Sequence, residues 1–151
     1  METQFEAARA EDAAAVFALL EEAHLPSAGL RDHFATTVVA RRGGQILGTV
    51  ALEVYPEGAL LRSVAVAPEV RGQGLGRQLT DEAIRAARSL GVPALYLLTT
   101  TAERYFPKFG FEVIDRREVP DSVKASVEFT SACPASATVM RMSLQAPAIG
   151  R

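Results

Sequence analysis

The stretch SVAVAPEVRGQGLGRQL, Ser63 to Leu79, sets Gly72, Gly74 and Gly76 and the cations Arg71 and Arg77 between an apolar run and an amphipathic one. Backbone amides that open a helix have no partner within it, and the helix macrodipole adds partial positive charge there. Bare glycine backbone at such a place therefore suits a phosphate anion. Two familiar phosphate loops fail. A P-loop needs Lys and then Ser or Thr after its last glycine, and Gly76 is followed by Arg77 and Gln78. A dinucleotide fingerprint needs G-x-G-x-x-G near the first strand and an acidic residue about twenty positions on. Here the glycines alternate, the stretch lies deep in the chain, and the next strand ends in Thr99-Thr100-Thr101.

Other residues carry chemistry upstream and downstream of the glycines. In TVALEVY, alternation puts Glu53 with Ala51 and Tyr55, opposite Val50, Leu52 and Val54. Glu53 is the candidate base, accepting a proton through water; the alternative is a carboxylate facing solvent on a one-sided sheet. Arg62, in ALLRSVAV, shares a face with Leu60 and Val64, an odd place for a cation unless it meets an anion. It is a candidate contact for a substrate carboxylate, against a snorkelling surface arginine. Thr99 and Thr100, at a strand end, could position acyl or substrate groups, or could simply cap a helix. His24 and His33 lie nine apart without metal-ligand spacing, so no metal is expected. Cys133 is the only cysteine, which excludes an intramolecular disulfide and suits a reducing cytoplasm.

These groups need a scaffold. Residues 3 to 8 read as a first strand, and Val16, Leu19, Leu20 and Ala23 recur at helical spacing until Pro26 and Gly29 stop them. After a helical piece at Leu30 to Phe34, TTVVARRGGQILGTVALEVYPEGALLRSVAV reads as an antiparallel meander with turns at Gly43-Gly44 and Pro56-Glu57-Gly58. Leu75, Leu79, Ala83, Ala86 and Leu90 mark a helix stopped by Gly91 and Pro93, and ALYLLT follows as a buried strand. Strand, helix and strand in that order imply a right-handed crossover, so the sheet is mixed. A short helix from Ala102 to Lys108, a strand in GFEVI and a last strand in ATVMRMSL complete the pattern. The connection from Asp115 to Ser136 is long enough to predict a short helix and a role over the active site.

The chain has 151 residues and is 48% hydrophobic, which suits one domain, expected over 1–145 with a frayed tail over 146–151. A formal net charge of -2 lacks the basic excess of nucleic-acid binders. The opening METQFEAARAED has no signal-peptide pattern and no 18-residue apolar span occurs, so the expectation is a cytoplasmic protein with no membrane partner.

The run Arg71-Gly72-Gln73-Gly74-Leu75-Gly76 resembles the pyrophosphate loop of the GNAT superfamily of N-acetyltransferases: Arg or Gln, two residues, Gly, one residue, then Gly or Ala. VAVAPEVRG is similar to that family's fourth strand and its exit, and RYFPKFGFEVI to its final helix-and-strand signature. LLRSVAV, LYLLTTTAERYFPKFGF and FTSACPASATVM resemble the small members found in arsenic-resistance operons, and VEFTSACPASATVM resembles the C-terminal part of amino-acid N-acetyltransferases of the acetylglutamate-synthase type.

The resemblance implies an α/β fold with a mixed sheet, in which an antiparallel meander leads to splayed parallel strands four and five with flanking helices. It implies acetyl-CoA as co-substrate, its pyrophosphate on Arg71, Gly72, Gln73, Gly74, Leu75, Gly76 and Arg77, and its pantetheine along Val64, Ala65 and Val66. The implied acceptor is the primary amine of a small amino-acid-like molecule, an arsenic-containing amino acid among the candidates, and many relatives pair as homodimers. Phe106 stands where many members carry a proton-donating tyrosine, with Tyr105 one place earlier, and Leu60 stands where histone-type members carry Glu. Two further readings stay open: an acetyl-CoA-binding sensor or pseudoenzyme, and a protein N-acetyltransferase.

Overall fold

The computed structural model describes residues 2–144; the tail expected over 146–151 lies outside the described residues. Seven strands form one sheet in the order β1-β2-β3-β4-β5-β7-β6. They are β1 (Gln4–Ala7), β2 (Thr37–Arg42), β3 (Gln45–Tyr55), β4 (Gly58–Val66), β5 (Ala94–Thr99), β6 (Glu112–Ile114) and β7 (Thr138–Ser143). The β4–β5 pair is parallel and the other pairs are antiparallel, as the crossover through α2 (Leu75–Leu90) requires.

Helix α2 lies on the face to which Gly48 points: Leu79 and Leu75 come within 2.7 and 3.5 Å of where a Cβ on Gly48 would sit. Its apolar stripe of Leu75, Leu79, Ala83 and Ala87 is buried, and each buried leucine contributes about 1.5–3 kcal/mol. Glu53 and Arg62 point to the other face. That face is covered by α1 (Ala13–Glu22), a 3-10 segment (Leu30–Thr36) and the connection between β6 and β7, which contains α3 (Asp121–Lys124). Leu60 packs there in a cluster with Val119 and Val123. Among the described residues no helix is long and apolar enough to cross a membrane.

Two local expectations change. Helix α1 stops at Glu22, before Pro26, because His24 adopts a left-handed backbone (φ 57°). The His24 N–H then donates to the Glu21 carbonyl and the Leu25 N–H to the Leu20 carbonyl, which closes the helix end. The helix expected over Ala102 to Lys108 shrinks to a turn and a 3-10 segment, Phe106–Phe109. Pro107 has no N–H for the last helical turn, and Gly110 is left-handed (φ 107°) just beyond it.

Candidate active site

Strands β4 and β5 pair only at Ala59 with Leu95 and at Leu60 with Tyr96, then diverge. The divergence opens a cleft of about 280 Å³ with Arg62, Ser63 and Val64 on one wall and Leu97, Leu98 and Thr99 on the other. Tyr105 and Phe106 also line it.

A bulge shapes the β4 wall. The β3–β4 register steps from Ala51 opposite Arg62 to Thr49 opposite Ala65, so Val50 faces two residues, Ser63 and Val64. Ser63 takes a left-handed backbone (φ 62°), which turns the chain out of the ladder beside the cleft. Nothing in the sequence marks this serine, since left-handed positions usually carry glycine or asparagine.

The glycine run opens α2 next to this cleft. Gly74 is the N-cap, left-handed at φ 83°, and no side chain caps the helix start. A Cβ on Gly76 would meet Val66 Cγ2 at 3.6 Å and the Tyr105 hydroxyl at 3.8 Å, so the helix start adjoins both the end of β4 and the cleft wall. Arg71, Gly72, Gln73, Gly74 and Arg77 are exposed, and the Arg71 Nε donates to the Val66 carbonyl at 3.3 Å. Leu75 contributes only backbone, because its side chain is core. Ala65 is also buried, while Val64 lines the cleft.

The two glycines that the family pattern treats differently differ physically. Gly76 has ordinary van der Waals space and a negative φ, so Ala fits. Gly74 has open space but a backbone that costs an L-residue about 1–2 kcal/mol. Gly76→Ala is expected to hold or raise the melting temperature and to keep phosphate-ligand affinity, whereas Gly74→Ala should lower both. Thermal unfolding with and without coenzyme A checks the pair, and equal behaviour of the two variants contradicts the account.

On the opposite face Glu53 and Arg62 meet. The Glu53 carboxylate is 1% exposed; its Oε2 accepts from Arg62 Nη1 at 2.8 Å and its Oε1 from the Tyr55 hydroxyl at 2.5 Å. Burial pushes the Glu53 pKa up, but hydrogen bonds from Ser126, Tyr55 and Arg62 and the nearby His33 outweigh it and hold the pKa below the usual value. This departs from both sequence readings of Glu53. With both oxygens engaged and a lowered pKa it is a counter-ion for Arg62, neither a solvent-facing group nor a ready base. Burial and the same hydrogen bond push Tyr55 up to about 12, so it remains a donor.

Arg62 is not a surface residue either. Its side chain is fully buried; Nη1 also donates to the Ala28 carbonyl at 2.7 Å, Nη2 to the Pro26 carbonyl at 3.0 Å and Nε to Ser63 Oγ at 3.0 Å. It thereby ties the segment after α1 to the cleft wall. A second carboxylate, Glu128, places its Oε2 3.4 Å from Arg62 Nε. Glu128 belongs to a five-residue π-helical turn, Glu128–Ala132, of the β6–β7 connection. Burial pushes its carboxyl up to about 7 against the pull of Arg62, and burial likewise pushes its neighbour Cys133 up to about 12. His33 lies beside a carboxylate, its Nε2 3.8 Å from Glu53 Oε1.

The threonines divide differently from expectation. Thr99 lines the cleft, but its hydroxyl accepts from the Ala102 and Thr101 N–H groups and caps the following turn. Thr101 also lines the cleft, whereas Thr100 is exposed and does not. Thr100 and Thr101 lie beyond β5, in the bend after Thr99, so strand alternation does not govern them. Phe106 is buried on the cleft wall beside Tyr105, whose pKa is raised by burial while a hydrogen bond with Thr80 lowers it in part.

The family described as acetyltransferase (GNAT) domain matches residues 33–113. An amino-acid acetyltransferase of Pseudomonas syringae pv. syringae is 37% identical over 93 residues, which cover 59% of this chain and 21% of that protein. An uncharacterized N-acetyltransferase of Chlorobaculum tepidum is 30% identical over 93 residues, covering 61% of this chain and 59% of that one. The chain spans about a fifth of the length of the amino-acid acetyltransferases it matches. The fold is also that of N-acetylglutamate synthase from Neisseria gonorrhoeae, solved in complex with coenzyme A and N-acetyl-glutamate, with a TM-score of 0.82 and 21% identity over 97% of this chain and 36% of that one.

Proposed function

This chain belongs to the GNAT acetyltransferase domain family, and from that premise we propose that it moves the acetyl group of acetyl-CoA to the primary amine of a small amino-acid-like acceptor. The observation that carries the reading is the uncapped, glycine-led start of α2 set against the cleft where β4 and β5 part. Phosphates would rest on the backbone of residues 71 to 77, and a pantetheine arm would run beside Val64 to Val66 like an added strand. A main-chain N–H left unpaired by the bulge at Ser63 and Val64 would stabilise a developing oxyanion beside the cleft. Thr99 and Thr101 line the same space, whereas Arg62, fully buried and engaged by Glu53, Ser63 and the Pro26 and Ala28 carbonyls, shapes its wall and is not a contact for an acceptor carboxylate. Phe106 has no proton for the leaving thiolate; Tyr105, also on the wall, keeps its proton at neutral pH.

An acceptor of amino-acid size is supported by the name of the Pseudomonas relative and by the way the β6–β7 connection covers the Arg62 face. The same covering disfavours a protein substrate, which needs an open groove. An arsenic-containing amino acid remains within the acceptor class, on the resemblance of LLRSVAV, LYLLTTTAERYFPKFGF and FTSACPASATVM alone.

Calorimetry with coenzyme A, followed by a thiol-release assay over amino acids, phosphinic and arsonic amino acids, polyamines and peptides, tests the proposal. Coenzyme A is expected to bind, and thiol to appear with small amino acids. Binding without turnover on any amine would favour a sensor, turnover on peptides alone would favour a protein acetyltransferase, and absence of binding would overturn the reading.

A further inference from the structure

Arg62 carries two carboxylates, and they are unlike each other. Glu53 has both oxygens occupied by strong donors, Tyr55 and Arg62 Nη1. Glu128 meets only the far edge of the guanidinium, at 3.4 Å, and the Cys133 thiol. One guanidinium cannot neutralise two buried carboxylates, so this pocket is one positive charge short whenever Glu128 is ionised. A substrate ammonium supplies that charge. The location suits it: Arg62 Nε contacts both Glu128 Oε2 and Ser63 Oγ, and Ser63 lines the cleft. Glu128 therefore stands one side chain away from the cleft wall.

We propose that Glu128 is the proton acceptor for the acceptor ammonium, a role no residue of the glycine loop or of β3 can fill; this rests on the acetyl-transfer reading above. The ammonium gives one proton to the Glu128 carboxylate. The freed nitrogen lone pair forms the N–C bond at the thioester carbonyl, and the C–S bond breaks with its electron pair on sulfur. The second nitrogen proton ends on the thiolate, and the Glu128 proton passes to solvent. Charged and titratable groups surround the site from every side: Glu53 and Tyr55 from β3, Arg62 from β4, His33 from the 3-10 segment, and Cys133 and Arg116 from the connection itself. Burial among them holds Glu128 near the pH at which a general base works best.

The test uses the whole chain, coenzyme A affinity and the pH profile of kcat/KM with the best amine of the panel. Wild type should lose rate on the acid side of neutrality, with Glu128 controlling that limb. Glu128→Gln should lower kcat about 100-fold and abolish the limb, with coenzyme A affinity unchanged. Unchanged kcat and an unchanged limb overturn the proposal. Cys133→Ser keeps the carboxylate and gives it a stronger donor, so the limb should move to lower pH; a limb that stays put overturns the proposal even where the Gln variant does not fold. Failure of wild type to bind coenzyme A would instead remove the acetyl-transfer reading, and this inference with it.

Discussion

Replacing Arg62 by Leu is expected to lower folding stability by about 3–5 kcal/mol, because it strands a buried charge. Glu53 is 1% exposed and would keep only its Ser126 and Tyr55 hydrogen bonds, so its carboxyl must either protonate or draw in water. The Pro26 and Ala28 carbonyls would lose their donors at the same time, which frees the segment between α1 and β2 from the sheet. The double variant Glu53→Leu with Arg62→Leu should recover part of the loss, since an apolar pair does not leave a charge behind. Urea unfolding of the single and double variants measures both effects. A single-variant loss under about 1 kcal/mol would mean that the pair is as weak as a surface salt bridge.

The second large expectation concerns stability against pH at Glu128. Burial raises its folded-state carboxyl from 4.5 to about 7. A carboxyl raised on folding stabilises fully below its unfolded pKa, and that contribution is lost as pH rises through the folded value. A shift of this size corresponds to roughly 3 kcal/mol. Glutamine has no proton to lose. Glu128→Gln should therefore resemble wild type near about pH 4 and exceed it by about 2–3 kcal/mol near about pH 8. Glu53 pulls the other way, since its lowered pKa makes its contribution present at neutral pH and lost as pH falls through the folded value. Urea midpoints of wild type and variant at the two pH values check the sign, and a gap independent of pH would show that Glu128 titrates as an ordinary surface carboxyl.

The two effects separate stability from chemistry at one cluster. If a cationic substrate offsets the cost of ionising Glu128, removal of that side chain is expected to stabilise the fold while slowing the reaction. Stability–activity trade-offs of this kind are common at sites built from buried charge.

The glycine loop, the meander and α2 were legible in the chain because each rests on local information. Gly74 is left-handed where only glycine sits without strain, the turns fall at Gly43-Gly44 and Pro56-Glu57-Gly58, and the α2 stripe repeats at helical spacing. The Glu53–Arg62 pair was within reach as well. Closing the Tyr55–Gly58 turn puts Glu53 opposite Leu60 and Ala51 opposite Arg62, so the two charges are diagonal neighbours on one face. Read singly, each charge looked out of place; read through the hairpin register, each explains the other. Glu128 and Ser126 arrive from a connection with no periodicity, and His33 from a 3-10 segment, so no spacing in the sequence brings them to β3 and β4.

The sequence alone therefore determined the fold's order of elements and the glycine-led start of α2, since hydrophobic period, turn residues and glycine backbone act over a few neighbouring positions. Only the tertiary structure decided which charges are buried, which of them are compensated, and that the strand wall bulges at Ser63. Those properties depend on what covers each face of the sheet, and the covering segments lie far along the chain, Glu128 being 75 positions from Glu53.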